Sequence, residues 1–254
     1  MIIGFNIGNT HTVVGLYEAG NPLPVFMDRY PTKREVTVQE LSDTITSAIN
    51  KYSVDAGAMQ GAIYSSVVPQ CNDAYDAVCK KLFSINPHRI TYRSRMPITI
   101  VYDNPAQLGV DRIVNAVAAH IDYNTDCIIV DIGTAITFCL LEHGVLKGGI
   151  IAPGVKAAMK GLAQSTAQLF EVPFEKPASI IAQNTKDALI SGFFYGWISL
   201  IEGIIQKMAG AIAHYTVICT GGMAEVLQPY LSIPANIDTT LTMRGLYYLY
   251  DINR

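Results

Sequence analysis

The sequence predicts an α/β protein made of two related lobes. Three observations favour this fold class: apolar runs typical of strands alternate with runs of helical periodicity, a β-hairpin pattern occurs twice, and 254 residues are enough for two lobes. Half of the residues are hydrophobic and only 15% are charged, so the chain can bury a substantial core.

The first half of the chain predicts strands and helices in alternation. The apolar, isoleucine-rich residues 1–7 predict a buried strand, and residues 12–17 predict a second strand after a turn at Gly8-Asn9-Thr10. The other predicted elements of this half are a helix at residues 38–52, a strand at residues 61–68 and a helix at residues 70–83.

The second half repeats the pattern. Residues 126–131 and 136–141 predict strands on either side of a turn at Gly133-Thr134-Ala135. The elements predicted after this hairpin are a strand at residues 145–151, helices after Gly154 and Asn184, a strand at residues 216–220 that ends in Gly221-Gly222, and a closing helix at residues 241–252.

The two hairpins align without a gap, residues 6–12 on residues 131–137. An isoleucine, a glycine and a threonine are identical at equal spacing, and Asn6 matches Asp131. Chance is the alternative, because many hairpin turns contain glycine and threonine, but the repeated order of the surrounding elements favours a duplication. We therefore expect an N-terminal lobe at residues 1–118, a C-terminal lobe at residues 119–254, and a cleft between them.

Each hairpin has the chemistry of a phosphate-binding loop. Glycine lets the backbone approach a ligand closely, exposed N–H groups donate to phosphate oxygens, and threonine hydroxyls add hydrogen bonds. A carboxylate at the end of the first strand would hold the metal ion that neutralises the phosphates of ATP. Asp131 occupies this position in the second half, and Asn6 occupies it in the first.

Composition excludes several classes of function. The net charge is −3 and no run of Lys or Arg occurs, so we expect no nucleic acid and no membrane surface as a partner. Five irregularly spaced cysteines without a C-x-x-C pair favour a reducing cytosol over disulfides or zinc. The apolar stretch at residues 192–205 contains Ser199 and Glu202 and is shorter than the roughly 20 residues of a membrane span, so a cytoplasmic protein is expected.

Five motifs in order along the whole chain carry a family resemblance. The chain resembles the type III pantothenate kinases, which belong to the superfamily of actin, the sugar kinases, acetate kinase and the heat-shock chaperone ATPases. The motifs are Asn6-Ile7-Gly8-Asn9-Thr10, Gly109-Val110-Asp111-Arg112, Asp131-Ile132-Gly133-Thr134-Ala135-Ile136-Thr137, Gly148-Gly149-Ile150-Ile151-Ala152-Pro153-Gly154 and Asn184-Thr185.

The resemblance implies two duplicated actin-like (ribonuclease H-like) lobes, each with a mixed sheet led by a β-hairpin, around a nucleotide cleft. It implies ATP-dependent phosphorylation of pantothenate, the first step of coenzyme A biosynthesis, by a cytoplasmic homodimer. Magnesium would accompany ATP, and Asp131 would bind a monovalent cation, K⁺ or NH4⁺.

The resemblance also implies roles for individual residues. Asp111 would be the general base that accepts the proton of the pantothenate hydroxyl, and the planar fork of Arg112 suits the carboxylate of this substrate. The implied substrate-binding residues are Tyr102, Gly109, Val110, Asp111, Arg112 and Thr185. The implied ATP-binding residues are Asn6, Ile7, Gly8, Asn9, Thr10, His11, Thr12, Val13 and Thr134.

Structural interpretations of the same residues stay open. Asp111 opens a helical pattern and would serve as an N-cap, and Tyr102 would be an ordinary strand aromatic. Asn184 and Asp187 resemble a capping pair, which would reduce Thr185 to a residue of the first helical turn. Gly192 and Gly196, four residues apart on a helical pattern, favour close helix packing, including packing in a dimer.

The first loop departs from the family pattern, because Asn6 stands where the family has Asp. Asparagine accepts hydrogen bonds through its carbonyl but carries no charge, so it attracts magnesium less well. Two further interpretations follow: a catalytically impaired relative that binds ligand and regulates or scaffolds a partner, and a kinase of another small hydroxylated acid. Turnover with pantothenate would separate an active pantothenate kinase from both of these alternatives.

Overall fold

The computed structural model, which describes residues 1–210 and 212–254, divides the chain into two units. The first unit contains residues 1–124, 144–146 and 240–254. The second unit contains residues 125–143 and 147–239. Each unit has a mixed sheet with helices, which confirms the predicted α/β class.

The sheet of the first unit is led by a hairpin, as predicted. The strand order is β3-β2-β1-β4-β5, with β1 antiparallel to β2 and parallel to β4. The elements of this unit are β1 (Ile2–Ile7), β2 (His11–Tyr17), β3 (Phe26–Pro31), α1 (Val38–Asn50), β4 (Gly61–Ser66), α2 (Asn72–Phe83), β5 (His88–Arg89), β6 (Thr99–Ile100), α3 (Val110–Tyr123) and α7 (Leu241–Asn253).

Alternation along β1 decides which face of this sheet meets which helices. Ile3, Phe5 and Ile7 are fully buried in a core that also contains residues of α1 and α2. Helices α3 and α7 contact each other and β4, and α7 also contacts β1. The sheet is therefore covered on both faces, with the residues at positions 2, 4 and 6 on the α7 side.

The closing helix α7 lies with the first unit. Tyr17 donates a hydrogen bond to the Met243 carbonyl at 2.7 Å, and Leu246 and Leu249 are fully buried. Gly245 lets α7 approach α3 closely, because an added Cβ would lie 2.2 Å from the Val114 carbonyl oxygen. The predicted boundary between residues 118 and 119 falls within α3. The predicted C-terminal lobe, residues 119–254, contained α7, whereas the structure places α7 in the first unit.

The sheet of the second unit repeats the hairpin-led arrangement. Its order is β11-β10-β7-β8-β9, with β7 antiparallel to β8 and parallel to β10; β6 pairs with Val145 and Leu146, the residues of β9 that belong to the first unit. The elements are β7 (Cys127–Ile132), β8 (Ala135–Glu142), β9 (Val145–Pro153), α4 (Val155–Ser165), α5 (Thr185–Ala209), β10 (Thr216–Thr220), α6 (Ala224–Leu227) and β11 (Asn236–Ile237).

Helix α5 is longer than its apolar stretch indicated. It has 25 residues, whereas the sequence prediction considered only its most apolar stretch at residues 192–205. By length and composition the helix could cross a membrane, since its most apolar 18 residues have a mean hydropathy of 1.6 and are 39% buried, but a single helix of this kind is equally typical of a protein core. Phe194, Ile201 and Ile205 lie in the core that includes residues of β7 and β10, which is the position of a core helix.

The two hairpins share a topology but differ by one residue in the turn. Ile7 pairs with Thr12, whereas Ile132 pairs with Ile136, so the first turn is one residue longer. Because side chains alternate along a strand, the extra residue moves Thr12 to the face opposite that of Thr137. The alignment without a gap is therefore wrong beyond the turn, and Val13 is the counterpart of Thr137.

Candidate functional site

The proposed base lies in the first turn of α3. Gly109 is the N-cap residue, and Asp111 is the second residue of the helix. The Arg112 backbone N–H donates to Asp111 Oδ1 at 2.8 Å. The interpretation of Asp111 as the N-cap is therefore wrong, because its carboxylate lies beside its own helical turn rather than closing the helix from outside.

Glycine at position 109 leaves room for the present position of the Asp111 carboxylate. A Cβ added to Gly109 would lie 2.5 Å from Asp111 Oδ1, so any side chain there displaces the carboxylate. Burial raises the pKa of Asp111, and the Arg112 backbone N–H and guanidinium act in the opposite direction. A carboxylate with a raised pKa is a stronger base, which suits proton abstraction from a hydroxyl.

Arg112 brings a buried positive charge next to this carboxylate. Its side chain is only 4% exposed, and its guanidinium carbon lies 6.0 Å from the centre of the Tyr102 ring. A cation over an aromatic face is stabilised by the ring quadrupole, so Tyr102 holds the guanidinium from one side. Four of the predicted substrate residues, Gly109, Asp111, Arg112 and Tyr102, therefore come together in the first unit.

A cavity of about 410 Å³ in the same unit has a different lining. Tyr92, Arg95, Ile98 and Pro105 border it, and the predicted substrate residues do not. Next to the cavity, Asn104 caps the short turn at residues 105–107, because its Oδ1 accepts a hydrogen bond from the Ala106 backbone N–H at 3.2 Å. This cavity is therefore separate from the group formed by Asp111, Arg112 and Tyr102.

The first loop forms a tight turn with an exposed tip. The Gly8 backbone N–H donates to the His11 carbonyl at 3.1 Å, and Asn9 and Thr10 are exposed. The Thr10 carbonyl accepts from the Thr32 backbone N–H at 3.0 Å, which fixes the turn to the residue after β3.

Two of the predicted ATP-binding side chains point into the core. Ile7 and Thr12 are fully buried. The Thr12 hydroxyl lies 2.9 Å from that of Thr32, and the Tyr75 hydroxyl donates to it at 3.3 Å. Only the backbone of these two residues is available to a ligand at the loop, since side chains on this face belong to the core.

Asn6 and His11 have partners that sequence reasoning missed. The Ser65 hydroxyl donates to Asn6 Oδ1 at 2.9 Å, and Arg29 Nη2 lies 3.0 Å from His11 Nδ1. Ser65 and Arg29 are far from the loop in sequence. The available signal was the hydroxyl pair Ser65-Ser66 at the end of a predicted strand, which parallel pairing places beside Asn6.

The second loop is built around three glycines. A Cβ on Gly221 would lie 2.4 Å from Asp131 Oδ1, and a Cβ on Gly154 would lie 2.4 Å from the carbonyl oxygens of Gly133 and Thr134. The Gly154 backbone N–H donates to the Thr134 carbonyl at 3.1 Å. Asp131 is partly buried, and Gly221 lies close beside its carboxylate. Carboxylate oxygens are ligands that suit a hard cation.

Val110 is the first residue of α3 in the first unit, and two further predicted site residues, Thr134 and Thr185, lie in the second unit. Thr134 is exposed at the tip of the second turn. Asn184 caps α5, because its Oδ1 accepts from the Asp187 backbone N–H at 2.9 Å, and its Nδ2 donates to the Asp187 carboxylate. The interpretation of Asn184 and Asp187 as a capping pair is confirmed. Thr185 is exposed at the first helical position, and its role in substrate binding stays a prediction.

Comparison with known proteins identifies relatives over the whole chain. The profile of the type III pantothenate kinase family matches residues 2–207. A type III pantothenate kinase of Halalkalibacterium halodurans is 36% identical over 100% of both chains. That of Geobacillus sp. strain WCH70 is 38% identical, and that of Listeria monocytogenes is 37% identical, each over 100% of this chain and 98% of the relative.

Solved structures show the same fold at low identity. The activator of the 2-hydroxyisocaproyl-CoA dehydratase from Clostridium difficile, solved with bound ADPNP, has a TM-score of 0.59 at 11% identity, with 98% and 94% of the two chains covered. An inorganic polyphosphate/ATP-glucomannokinase from Arthrobacter has a TM-score of 0.53 at 12% identity, with 100% and 99% covered. From the family profile and the full-length relatives, the chain belongs to the type III pantothenate kinase family.

Proposed function

We propose that this protein phosphorylates pantothenate with ATP to give 4'-phosphopantothenate, the first step of coenzyme A biosynthesis. Full-length similarity to type III pantothenate kinases supports the reaction. The observation that carries the proposal is the desolvated carboxylate of Asp111 beside the buried Arg112, with Gly109 leaving room for it. This arrangement supplies a base and a cation for an acidic substrate that bears a hydroxyl group.

Asp111 acts at the substrate hydroxyl. Its carboxylate accepts the hydroxyl proton while the substrate oxygen forms a bond to the γ-phosphorus of ATP and the bond from that phosphorus to the ADP oxygen breaks. Arg112 pairs with the pantothenate carboxylate and orients the substrate, and Tyr102 keeps the guanidinium in place. Val110 and Thr185 complete the assigned substrate contacts.

ATP is assigned to the hairpin loops. Backbone N–H groups of residues 6–13 and the exposed Thr134 bind its phosphates, and the magnesium ion that accompanies ATP neutralises phosphate charge. Asp131 holds a monovalent cation, K⁺ or NH4⁺. The proposed cation site is supported by the close approach of Gly221 to the Asp131 carboxylate, where an added Cβ would lie 2.4 Å from Oδ1.

We also propose that the protein is a cytoplasmic homodimer. The second unit exposes large apolar side chains, including Ile151 at 65%, Ile180 at 65% and Ile181 at 80%. On α5, Cβ atoms added to Gly192 and Gly196 would have open space around them within this chain. An apolar surface with a glycine-lined helix suits a second copy that packs closely.

The reaction is tested by product formation. We expect phosphopantothenate and ADP in equal amounts from the wild-type protein with ATP, magnesium, potassium and pantothenate. Asp111→Asn should lower kcat by about 10²–10⁴-fold, the usual contribution of a general base, with little change in ATP affinity. Gly109→Ala should also lower kcat, because its Cβ displaces the carboxylate.

Two results would contradict this proposal. The first is pantothenate binding without turnover, which would favour a binding or regulatory protein, an alternative that the full-length family match does not favour. The second is phosphorylation of a different hydroxylated acid in place of pantothenate. Gly161→Ala is a matched control, because a Cβ on this helical glycine has open space around it within the chain and kcat should be unchanged.

A further inference from the structure

The cavity of about 410 Å³ in the first unit is lined by residues of one short segment, 92–105. Its polar lining comes from Tyr92, Ser94 and Arg95, and the rest of its lining is apolar. Small-molecule sites in proteins are roughly 300–1,000 Å³ in volume and combine an apolar lining with a few polar groups. The volume and the lining of this cavity therefore suit a small organic ligand.

Two hydroxyl groups of the lining already accept hydrogen bonds from the chain. Arg93 Nε donates to the Tyr92 hydroxyl oxygen at 2.9 Å, and the Thr91 backbone N–H donates to Ser94 Oγ at 3.0 Å. Within residues 1–210 and 212–254, neither hydroxyl donates a hydrogen bond to the chain. A hydroxyl that accepts still has one proton to donate, so Tyr92 and Ser94 offer two donors to a ligand.

Arg95 adds a positive charge at a position that the backbone fixes. Its backbone N–H donates to Asn253 Oδ1 at 3.0 Å, and Asn253 Nδ2 donates to the Arg95 carbonyl at 2.9 Å. This pair of hydrogen bonds ties residue 95 to α7. The Arg95 side chain is exposed, and in the described part of the chain its guanidinium has no hydrogen-bond or ion-pair partner. Five N–H donors and a permanent charge are therefore available to a ligand.

The segment around the cavity is basic, although the chain has a net charge of −3. Residues 77–102 contain five Lys or Arg residues and no Asp or Glu. Among the residues that the structure describes, none of these five side chains forms an ion pair. Uncompensated charge of one sign raises the local concentration of ions of the opposite sign, so this region attracts anions. The five basic residues are Lys80, Lys81, Arg89, Arg93 and Arg95.

The apolar part of the lining favours an organic anion over a bare inorganic ion. Met96, Ile100 and Pro105 are half-buried, and Ile98 is buried. Apolar surface that a ligand removes from water contributes about 25 cal/mol per Å² to binding. A ligand with an apolar group gains from this wall, whereas a fully hydrated ion does not.

We propose that this cavity binds an organic phosphate monoester, with the phosphate held by Arg95, Tyr92 and Ser94 and the organic group against Met96 and Ile100. The three terminal oxygens of a phosphate monoester are strong acceptors, which match two hydroxyls and a guanidinium. A carboxylate has only two oxygens for these three groups. None of the residues assigned to pantothenate or ATP lines the cavity, so this is a second ligand site.

The experiment uses phenyl phosphate as the probe and NMR of methionine labelled with carbon-13 at the methyl group. Met96, one of eight methionines, lines the cavity, and Met96→Leu assigns its signal. We expect phenyl phosphate to shift the Met96 signal in a saturable way. Benzoate lacks the phosphate and inorganic phosphate lacks the ring, so each should bind at least about fivefold more weakly.

Substitutions in the cavity test the donors. Arg95→Met should weaken binding of phenyl phosphate about tenfold or more, because it removes hydrogen bonds from a charged group and keeps the apolar stem. Tyr92→Phe should weaken it about threefold or more, because it removes one neutral donor. Lys80→Met is the matched control: it removes the same charge from an exposed position of α2 outside the cavity. Its effect should be less than about twofold, because salt screens exposed charges.

Three results would overturn the proposal. The first is a Met96 signal that phenyl phosphate does not shift. The second is equal weakening by Arg95→Met and Lys80→Met, which would indicate general attraction of anions. The third is benzoate or inorganic phosphate binding as tightly as phenyl phosphate. Circular dichroism checks folding, and Tyr92→Phe decides the second point if Arg95→Met is unfolded. Because the signal reports binding at Met96, failure of the proposed kinase reaction would leave this test unaffected.

Discussion

The two hairpin loops have the same strand topology and different side-chain chemistry. In both units the first strand pairs antiparallel with the second and parallel with a later strand. In the second unit the first strand presents Asp131, which lies against Gly221, whereas in the first unit it presents Asn6, which is held by Ser65. Two hairpins of the same topology can therefore present different charges at the same position of the first strand.

The units also differ in what supports each loop. A network of hydroxyls from Thr12, Thr32, Tyr30 and Tyr75 lies beneath the first loop. Backbone packed against backbone supports the second, through Gly154 and Gly221. Loss of a hydroxyl beneath the first loop leaves its buried partners without a hydrogen bond, whereas an added Cβ at the second loop meets the surrounding atoms directly.

The largest effect should come from Gly221→Ala. Its φ of +91° strains any side chain, and its Cβ would also meet Asp131 and the backbone of Ile132 within 2.8 Å. We expect a loss of about 2–5 kcal/mol in the free energy of unfolding, from about 1–2 for the backbone and 1–3 for overpacking, measured by urea denaturation.

Gly20→Ala is the matched control for that variant. Gly20 has φ of +85°, but a Cβ there has open space around it, so only the backbone cost of about 1–2 kcal/mol applies. Equal losses for the two variants would contradict the idea that the second loop is held by contact between glycine and backbone.

A smaller effect should distinguish Thr12 from Thr137. Thr12→Val removes a fully buried hydroxyl that contacts Thr32 and Tyr75, so we expect a loss of about 1–3 kcal/mol in stability. Thr137→Val changes a partly exposed residue and should cost less than about 0.5 kcal/mol. Thermal unfolding of both variants measures the difference, and equal losses would support the alignment of the hairpins without a gap.

The pH dependence of stability should have opposite signs at two carboxylates of the first unit. Burial raises the pKa of Asp111, so its favourable contribution is complete below the unfolded pKa of about 4 and is lost as pH rises through the folded pKa. Asp111→Asn should therefore gain stability relative to wild type as pH rises above about 4.

Asp28 is the comparison with the opposite sign. A hydrogen bond from Lys51 lowers the pKa of Asp28, so its contribution is complete above the unfolded pKa and is lost as pH falls through the folded pKa. Asp28→Asn should lose stability at neutral pH and match wild type in acid. Melting temperatures from pH 3 to 8 test both variants, and the same trend in both would contradict the assignment at Asp111.

The smallest effect should come from Gly192→Ala on α5. In a free helix this change raises stability by up to about 1 kcal/mol, because alanine favours helix more than glycine does. Where a second copy packs closely at this glycine, the added Cβ weakens the dimer instead. Sedimentation equilibrium and thermal unfolding at two protein concentrations distinguish a more stable helix from a weaker dimer. A stabilised variant with an unchanged molecular mass would contradict packing of a second copy at Gly192.

Local sequence signals predicted most of the fold. An isoleucine-rich run predicted β1, the predicted helix at residues 38–52 corresponds to α1, and the predicted capping pair of Asn184 and Asp187 begins α5. The two-residue strands β5, β6 and β11 were not predicted, because pairing with a neighbouring strand defines them and two residues show no periodicity. The Gly109-Val110-Asp111-Arg112 motif identified the proposed base, and the structure added the raised pKa that favours this role.

The sequence alone determined the class of fold, the family motifs and the missing charge at Asn6, because strand and helix periodicity and residue identity are local properties. Only the tertiary structure decided the register of the first hairpin, the burial of Thr12 and the partners of Asn6 and His11. Each depends on residues far apart in the chain that pairing of strands brings together: Ser65 is 59 residues from Asn6, and Arg29 is 18 residues from His11. Such contacts leave no periodic trace in one sequence, because alternation along a strand indicates a face but not its neighbour.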